Sequence, residues 1–506
     1  MSTRLQPSDP ANAETTSSIA RSSVIWNTGF NLFRDVTQFG QSVVLARLLL
    51  PEAYGQFALV TSSIGFLSIF TSKNFVAYTL QVKDDQETHY QDHFTSGAVF
   101  QMGAFFIANA IAVAVRYLPA SESVDYASIA LPIHVMSTTF LLEWPTEIRL
   151  KMLERALDWK RRRLLHAIGI VAGMPVAILF ALLGFGVYTL LIPGMLVTIP
   201  FIYDLFVYAK FRPTWEWSWI NYQDAFRFGL TRIGAGASST GRQLLENAVF
   251  SATLGFATLG FVNRAVGISQ LACGKIAHQL MYAIYPILTR LEAKTGKAAL
   301  AGDLVMRVVA WAATPLACSF GLLGLPVIAT VYGSQWLQSA VFLRWTLAWV
   351  ATMALTQVAY ALLLARQKAK LCMMADVVIL IGTAICLFTL LQHGVTVYYA
   401  GLSGVNAITL CVLLRILLKN DAITTDGLAR AFAPPLVAST IAILIASLLP
   451  FDAFSNTAFL PAFVWGTTFF VIYVICLRVL FVSPLTELVS YFPARRTISR
   501  LLWLTV

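Results

Sequence analysis

The sequence predicts an all-α polytopic membrane protein, and three observations carry that expectation. Hydrophobic residues fill 58% of the 506 positions and charged residues only 12%, about half the charged share of a soluble domain. Apolar stretches near 20 residues long recur from end to end, the length needed to cross roughly 30 Å of hydrocarbon. Lysine and arginine are concentrated in every second connecting segment, the bias expected when loops alternate between the two faces of a membrane. The expected architecture has about 14 transmembrane helices: two six-helix lobes around a central cavity, plus two extra C-terminal helices.

In chain order, residues 1–21 are polar and rich in Ser, Thr, Asn and Pro. They lack a basic segment followed by a short apolar core, so no cleavable signal peptide is expected, and the first span serves as the insertion signal. Spans are expected at 22–46, 54–80, 94–117, 127–148, 164–183 and 187–209, which make an N-lobe over 22–209. A cytoplasmic linker covers 210–223. Spans at 224–250, 258–285, 304–325, 337–364, 371–391 and 396–418 make a C-lobe over 224–418, and two more, at 431–449 and 458–480, occupy 431–480. The stretch 484–506 sets Arg495, Arg496 and Arg500 beside Leu501, Leu502 and Trp503, the composition of an amphipathic cytoplasmic tail lying on the membrane. The six cysteines are scattered without CxxC spacing, which points to neither a metal site nor a disulfide framework.

With the N-terminus taken as inside, the inside segments hold 26 Lys and Arg, and the outside loops hold Arg47 and Arg116 only. That asymmetry puts both termini in the cytoplasm and accounts for most of the net charge of +11. The run WKRRR at 159–163 then anchors to anionic headgroups rather than to nucleic acid, and WEWSW at 215–219 reads as an aromatic interface belt. The outside loops are all short. Eight cations remain in or near the spans: Arg34, Lys73, Arg232, Arg242, Arg264, Lys275, Arg307 and Arg344. A central Lys or Arg costs at least about 2.5–3.5 kcal/mol on insertion scales, so these must face protein or water.

The stretch GFNLFRDVTQFGQ at 29–41 sets Arg34 beside Asp35. On a helix Asn31, Arg34, Asp35, Gln38, Gln41 and Ser42 form one polar stripe. The seventh span repeats the pattern with Arg232, Ser239, Arg242 and Glu246, the last two one turn apart. Arg264, Lys275 and His278 follow in the eighth, and Lys73 lies near the cytoplasmic end of the second. Arg307 and Arg344 are expected to snorkel or pair near an interface, and Glu143 and Glu147 to be interfacial. Polar helices 1 and 7 suggest a six-plus-six repeat: at an offset of 205, LARLLLPEAYGQFALV (45–60) lies over FSATLGFATLGFVNRA (250–265). Six spans return the chain to its starting side, so the halves would be parallel repeats. A net cationic cavity implies an anionic substrate group, most simply a phosphate or pyrophosphate, which arginine can bind in bidentate fashion. Structural ion pairing is the plainer role for Arg34 with Asp35 and for Arg242 with Glu246.

The stretch SVIWNTGFNLFRDVTQFGQSVVLARLLLPEAYGQFALV at 23–60 resembles the amino-terminal signature of Wzx-type polysaccharide transporters, most closely in LARLLLPEAYGQFALV. That family shares a superfamily with lipid II flippases and two-lobed multidrug exporters. The resemblance implies movement of an undecaprenyl-pyrophosphate-linked oligosaccharide from the inner to the outer leaflet of the bacterial cytoplasmic membrane. Arg34–Asp35 matches an Arg–Asp pair that lipid II flippases carry in their first helix, and Arg264 is similar in placement to an arginine of their eighth. The resemblance assigns the pyrophosphate to Arg34 and a poising or ion-responsive role to Asp35. Expected partners are the lipid-linked substrate, membrane lipids and polysaccharide polymerase or export proteins, with no nucleic acid. No cofactor is expected: GxxxxGK[ST] is absent, which leaves an ion gradient or the membrane potential as the energy source. Three rival readings share part of this evidence. A multidrug exporter of cationic drugs needs a cavity of opposite sign. A membrane glycan polymerase or ligase needs a large outside loop. A lipid II flippase shares the chemistry but not the local signature.

Overall fold

The computed structural model describes residues 29–31, 33–83, 86–118, 124–275, 298–449 and 459–490. The expected polar segment 1–21, His278 and the tail beyond Ser490 lie outside the described residues. Helix dominates and no strand occurs among the described residues. Eleven helices among them are long and apolar enough to cross a membrane. Three further segments bring the total to the fourteen expected. They are α1 (29–48), the charge-bearing α5 (Ala127–Arg155) and the second arm of α9 (Trp219–Ser269), which is broken at Gly255. The chain is an all-α polytopic membrane protein.

Two compact units divide the chain, Met1–Leu259 and Gly260–Val506. In the first, α1 ends at a break through Leu49 and Leu50, and α2 (Pro51–Leu67) begins with Pro51, whose missing N–H is no loss in a first turn. The break at Gly255 lies 205 residues beyond the one at Leu50, the same offset at which the two sequence segments align. The two breaks differ in backbone. Leu50 is extended at φ −73°, whereas Gly255 takes φ 81° and ψ 167°, a region that is essentially glycine-only. Gly55 lies directly against the Phe256 backbone: a Cβ there would sit 1.8 Å from the Phe256 carbonyl oxygen.

Span two departs from the expected single helix over 54–80. After α2 the chain tightens into a 3₁₀ turn (Ser68–Phe70), becomes extended at Thr71 and resumes as the short α3 (Lys73–Val76). Polar side chains account for the break. Thr71 donates to Ser68 O at 2.7 Å and Asn74 donates to Ile69 O at 2.8 Å, so local side-chain bonds replace the helical ladder. Span six is likewise divided, into α7 (Tyr188–Leu196), α8 (Ile199–Tyr203) and a π turn over Asp204–Tyr208. Pro200, near the start of α8, has no N–H for the ladder.

The first unit is built around α4 (Tyr90–Arg116) and α5, with α6 (Trp159–Leu182) started by the Asp158 carboxylate, which accepts from Arg161 N at 3.1 Å. Small residues let helices approach where lipid offers no hydrophobic drive: Gly169 and Gly173 lie against the backbone of Val197 and Pro193. In the second unit one large apolar core draws chiefly on α10 (Ala298–Leu322), α12 (Leu337–Ala365), α15 (Thr425–Ala446) and α16 (Phe459–Leu480), with buried residues at 372–375, 410–417 and 485–489 beside them. α11 (Gly324–Val331), α13 (Ala369–Thr389) and α14 (Val395–Lys419) complete it. Met373, Met374, Val377, Val378, Ile381, Ile385 and Phe388 share an exposed face of α13, as a lipid-facing helix requires.

Arg307 on α10 does pair, with Glu487 at 2.8 Å, and it is buried. Glu487 belongs to α17 (Val482–Ser490) and also meets Arg430 at 3.4 Å. This helix is the described part of the expected 484–506 tail, and its charge ties it to α10 and α15.

Candidate functional site

The polar face of α1 holds Asn31, Arg34, Asp35 and Gln38, while Phe33, Val36 and Phe39 are exposed on the rest of the helix. Adjacent residues on a helix point about 100° apart and do not ordinarily meet. Here the arginine folds back: Arg34 Nε and Nη2 both donate to Asp35 Oδ1, at 3.3 and 3.1 Å. Nη1 of Arg34 keeps no bond among the described residues. The pair is partly accessible, at 30% and 20% side-chain exposure. Phe30, one turn earlier, packs on the His166 ring at 5.3 Å and under the Arg163 guanidinium at 4.9 Å. α1 is thus placed against α6, and the polar stripe is held by that apolar contact.

Lys73 sits on the break after α2, at the start of α3 and just beyond the apolar span Pro51–Phe70. The break brings Lys73 and Arg232 onto one neighbourhood. Arg232 Nε donates to Asn74 Oδ1 at 3.3 Å. One turn away Gly229 lies against the Phe75 ring. Neither Lys73 nor Arg232 has a carboxylate within ion-pair distance among the described residues. Glu143 and Glu147, one turn apart on α5, feel the charge of Lys73. Further along α9, Arg242 Nη1 meets Glu246 Oε2 at 3.4 Å, with both side chains largely buried, and Asn247 donates to Ala58 O at 3.1 Å. These contacts seat the first arm of α9 on α2.

Arg264 belongs to the second unit. Its guanidinium carbon lies 5.6 Å from the Tyr332 ring centroid and 6.0 Å from that of Trp336, a cation–π cradle that suits the planar, weakly hydrated guanidinium.

One charged centre escaped the sequence reading. Asp204, at the head of the π turn, is 3% exposed. It accepts from Arg149 Nε at 2.5 Å and from Arg161 Nε and Nη2 at 2.8 and 2.6 Å. Arg161 also lies 3.1 Å over the Tyr208 ring. Both arginines look like headgroup anchors in sequence. The one available signal was Asp204 itself, an acid inside an otherwise apolar span. π turns recur at functional positions, and this one points a carboxylate at two guanidinium groups.

The comparisons with known proteins agree with this architecture. A family model described as "Polysaccharide biosynthesis protein" matches residues 44–341. The match includes the 45–60 signature and begins after Arg34 and Asp35. The succinoglycan biosynthesis transport protein ExoT of Rhizobium meliloti (strain 1021) is 22% identical over 329 residues, 63% of this chain. The match spans 65% of that relative's length. Among solved structures, the lipid II flippase MurJ in an inward closed conformation superposes with a TM-score of 0.72. It covers 90% of this chain and 99% of its own at 11% identity. An inward-facing multidrug resistance transporter of the MATE family gives a TM-score of 0.52 at 14% identity, over 76% of this chain and 94% of its own. At such identities the two structures speak to the fold.

Proposed function

The chain belongs to the polysaccharide biosynthesis protein family, and from that premise we propose that it flips an undecaprenyl-pyrophosphate-linked oligosaccharide from the cytoplasmic to the outer leaflet of the inner membrane. The prenyl tail stays in lipid while the sugar crosses in water, by alternating access driven by an ion gradient or the membrane potential. The relative named for succinoglycan transport and the flippase fold support transport rather than bond-making chemistry.

The observation that carries the anionic half of the reading is Arg34. Its guanidinium is fixed by Asp35 through Nε and Nη2, and Nη1 remains to donate to a phosphate oxygen. A charge-assisted bond of that kind is worth about 1.5–3 kcal/mol, so Asp35 orients the donor without consuming it. Lys73 and Arg232 are further cations for the same pyrophosphate, and Arg264 on its aromatic cradle is one for a later step of its passage. Glu246 and Asp35 are the carboxylates placed to answer a coupling ion.

The test is a leaflet assay. Lipid-linked oligosaccharide exposed outside spheroplasts is labelled with and without the protein, and then with Arg34→Ala and Asp35→Asn at normal expression. Loss of the protein should trap the oligosaccharide inside, and Arg34→Ala should lower outside labelling by about tenfold or more. Glycan that still crosses but stays unpolymerised would instead make the protein an enzyme or accessory factor.

A further inference from the structure

A cavity of about 440 Å³ opens in the first unit between the 86–89 loop, the start of α4 and the irregular 211–218 segment. It lies on the side that the charge asymmetry assigns to the cytoplasm. The volume falls within the roughly 300–1,000 Å³ of small-molecule sites, room for a short saccharide. Its lining joins the aromatic residues Trp217 and Tyr90 to Glu87, Glu216, Thr88, His89 and Asn221. Trp217 is 51% exposed. Glu87 lies 4.0 Å from His89 Nδ1, and Glu216 meets no lysine or arginine within ion-pair distance among the described residues.

The walls are built before any ligand arrives. Gln91 donates to Arg212 O at 2.8 Å and accepts from Thr214 N at 3.1 Å. Asp92 accepts from Ser218 N at 2.6 Å and from Asn221 Nδ2 at 3.1 Å, and Thr95 donates to Glu216 O at 2.9 Å. Three side chains at the head of α4 thus clasp the 212–221 segment. His89, Lys210 and Trp215 take left-handed φ values of 44°, 51° and 60°, conformations L-residues with a Cβ rarely adopt and which gather at functional sites. Trp215 is pinned against Phe94 and Trp144, while Trp217, its ring beside that of Trp219, lines the cavity.

We propose that this cavity binds the sugar portion of the substrate, as a saccharide subsite at the cytoplasmic face. An aromatic plane takes the C–H face of a pyranose. The Glu216 carboxylate and the Asn221 amide oxygen accept from its hydroxyls, and Thr88 can donate in return. A pocket for phosphate would instead need cations in its wall. The inference rests on the flippase reading for the source of the sugar, but not for the pocket's chemistry.

The test uses the full chain in nanodiscs of phosphatidylglycerol. The probe is the free oligosaccharide released by mild acid from the prenyl-linked pool of the producing strain. Saturable binding is read by saturation-transfer NMR. Trp217→Ala should weaken it by about tenfold or more, as truncating an aromatic anchor does. Trp217→Phe should retain most of it, and Trp345→Ala, at an exposed position of α12 in the second unit, should leave it unchanged. Absence of binding, binding equal in Trp217→Ala, or full displacement by phosphoethanolamine would overturn the subsite. Sugar binding that persists in a protein inactive in the leaflet assay would sink the flippase reading alone.

Discussion

At the scale of single residues, what the chain does with charge separates into two kinds of arginine. Arg34 keeps donors in reserve; Arg149 and Arg161 spend theirs on one buried carboxylate. Removing that carboxylate leaves two guanidinium groups without their counter-charge, a change that costs about 3–5 kcal/mol when a buried partner is lost. Asp204→Ala should therefore lower the thermal midpoint of the detergent-solubilised protein by several degrees, with Asp204→Asn in between because it keeps an acceptor. A midpoint equal to wild type, read by tryptophan fluorescence, would show the centre to be dispensable for stability. Arg34–Asp35 was legible from adjacency and helical spacing alone. The Asp204 centre was not, because its partners come from 43 and 55 residues away and nothing local distinguishes them from anchoring cations. Lys73 was visible as an intramembrane cation, but its seat on a break was hidden. Hydroxyl and amide side chains at Ser68, Thr71 and Asn74 redirect a backbone whose apolar pattern reads as continuous helix.

Among elements, the informative features are interruptions. The breaks at Leu50 and Gly255 share an offset that the sequence already carried, so the location of the turns was legible even though the backbone conformations were not. They make opposite demands on their residues. Gly255→Ala forces a Cβ into a glycine-only region, a strain of about 1–3 kcal/mol. Leu50→Ala, at an extended and 67% exposed position, should stay within about 0.5 kcal/mol of wild type. Parallel thermal melts of the two variants check this. Equal losses would mean that the break at Gly255 is set by tertiary contacts instead of by its own φ. Charge also holds an element in place at the other end of the chain. α17 seats Leu485, Leu488 and Val489 in the apolar core, and Glu487 further ties it to Arg307 and Arg430.

Over the whole molecule, span number was legible because hydrocarbon demands long apolar stretches, and the direction of the charge bias because cytoplasmic loops carry the excess of Lys and Arg. The bias makes a prediction about sidedness. A cysteine at Gln392, in the turn between α13 and α14, should react with a membrane-impermeant maleimide in intact cells. A cysteine at Lys370, at the start of α13, should react only after permeabilisation. The reverse pattern would invert the topology and move the saccharide subsite to the other face. The contact of Gly55 with Phe256 has a consequence for assembly. These residues touch through backbone, yet 200 positions of chain separate them. At roughly 5–20 residues per second of synthesis, the first helical pair waits about 10–40 s for its partner to be made. During that interval Gly55 offers the translocon and the bilayer a bare notch, and the first hairpin cannot complete its packing until half the chain has been made.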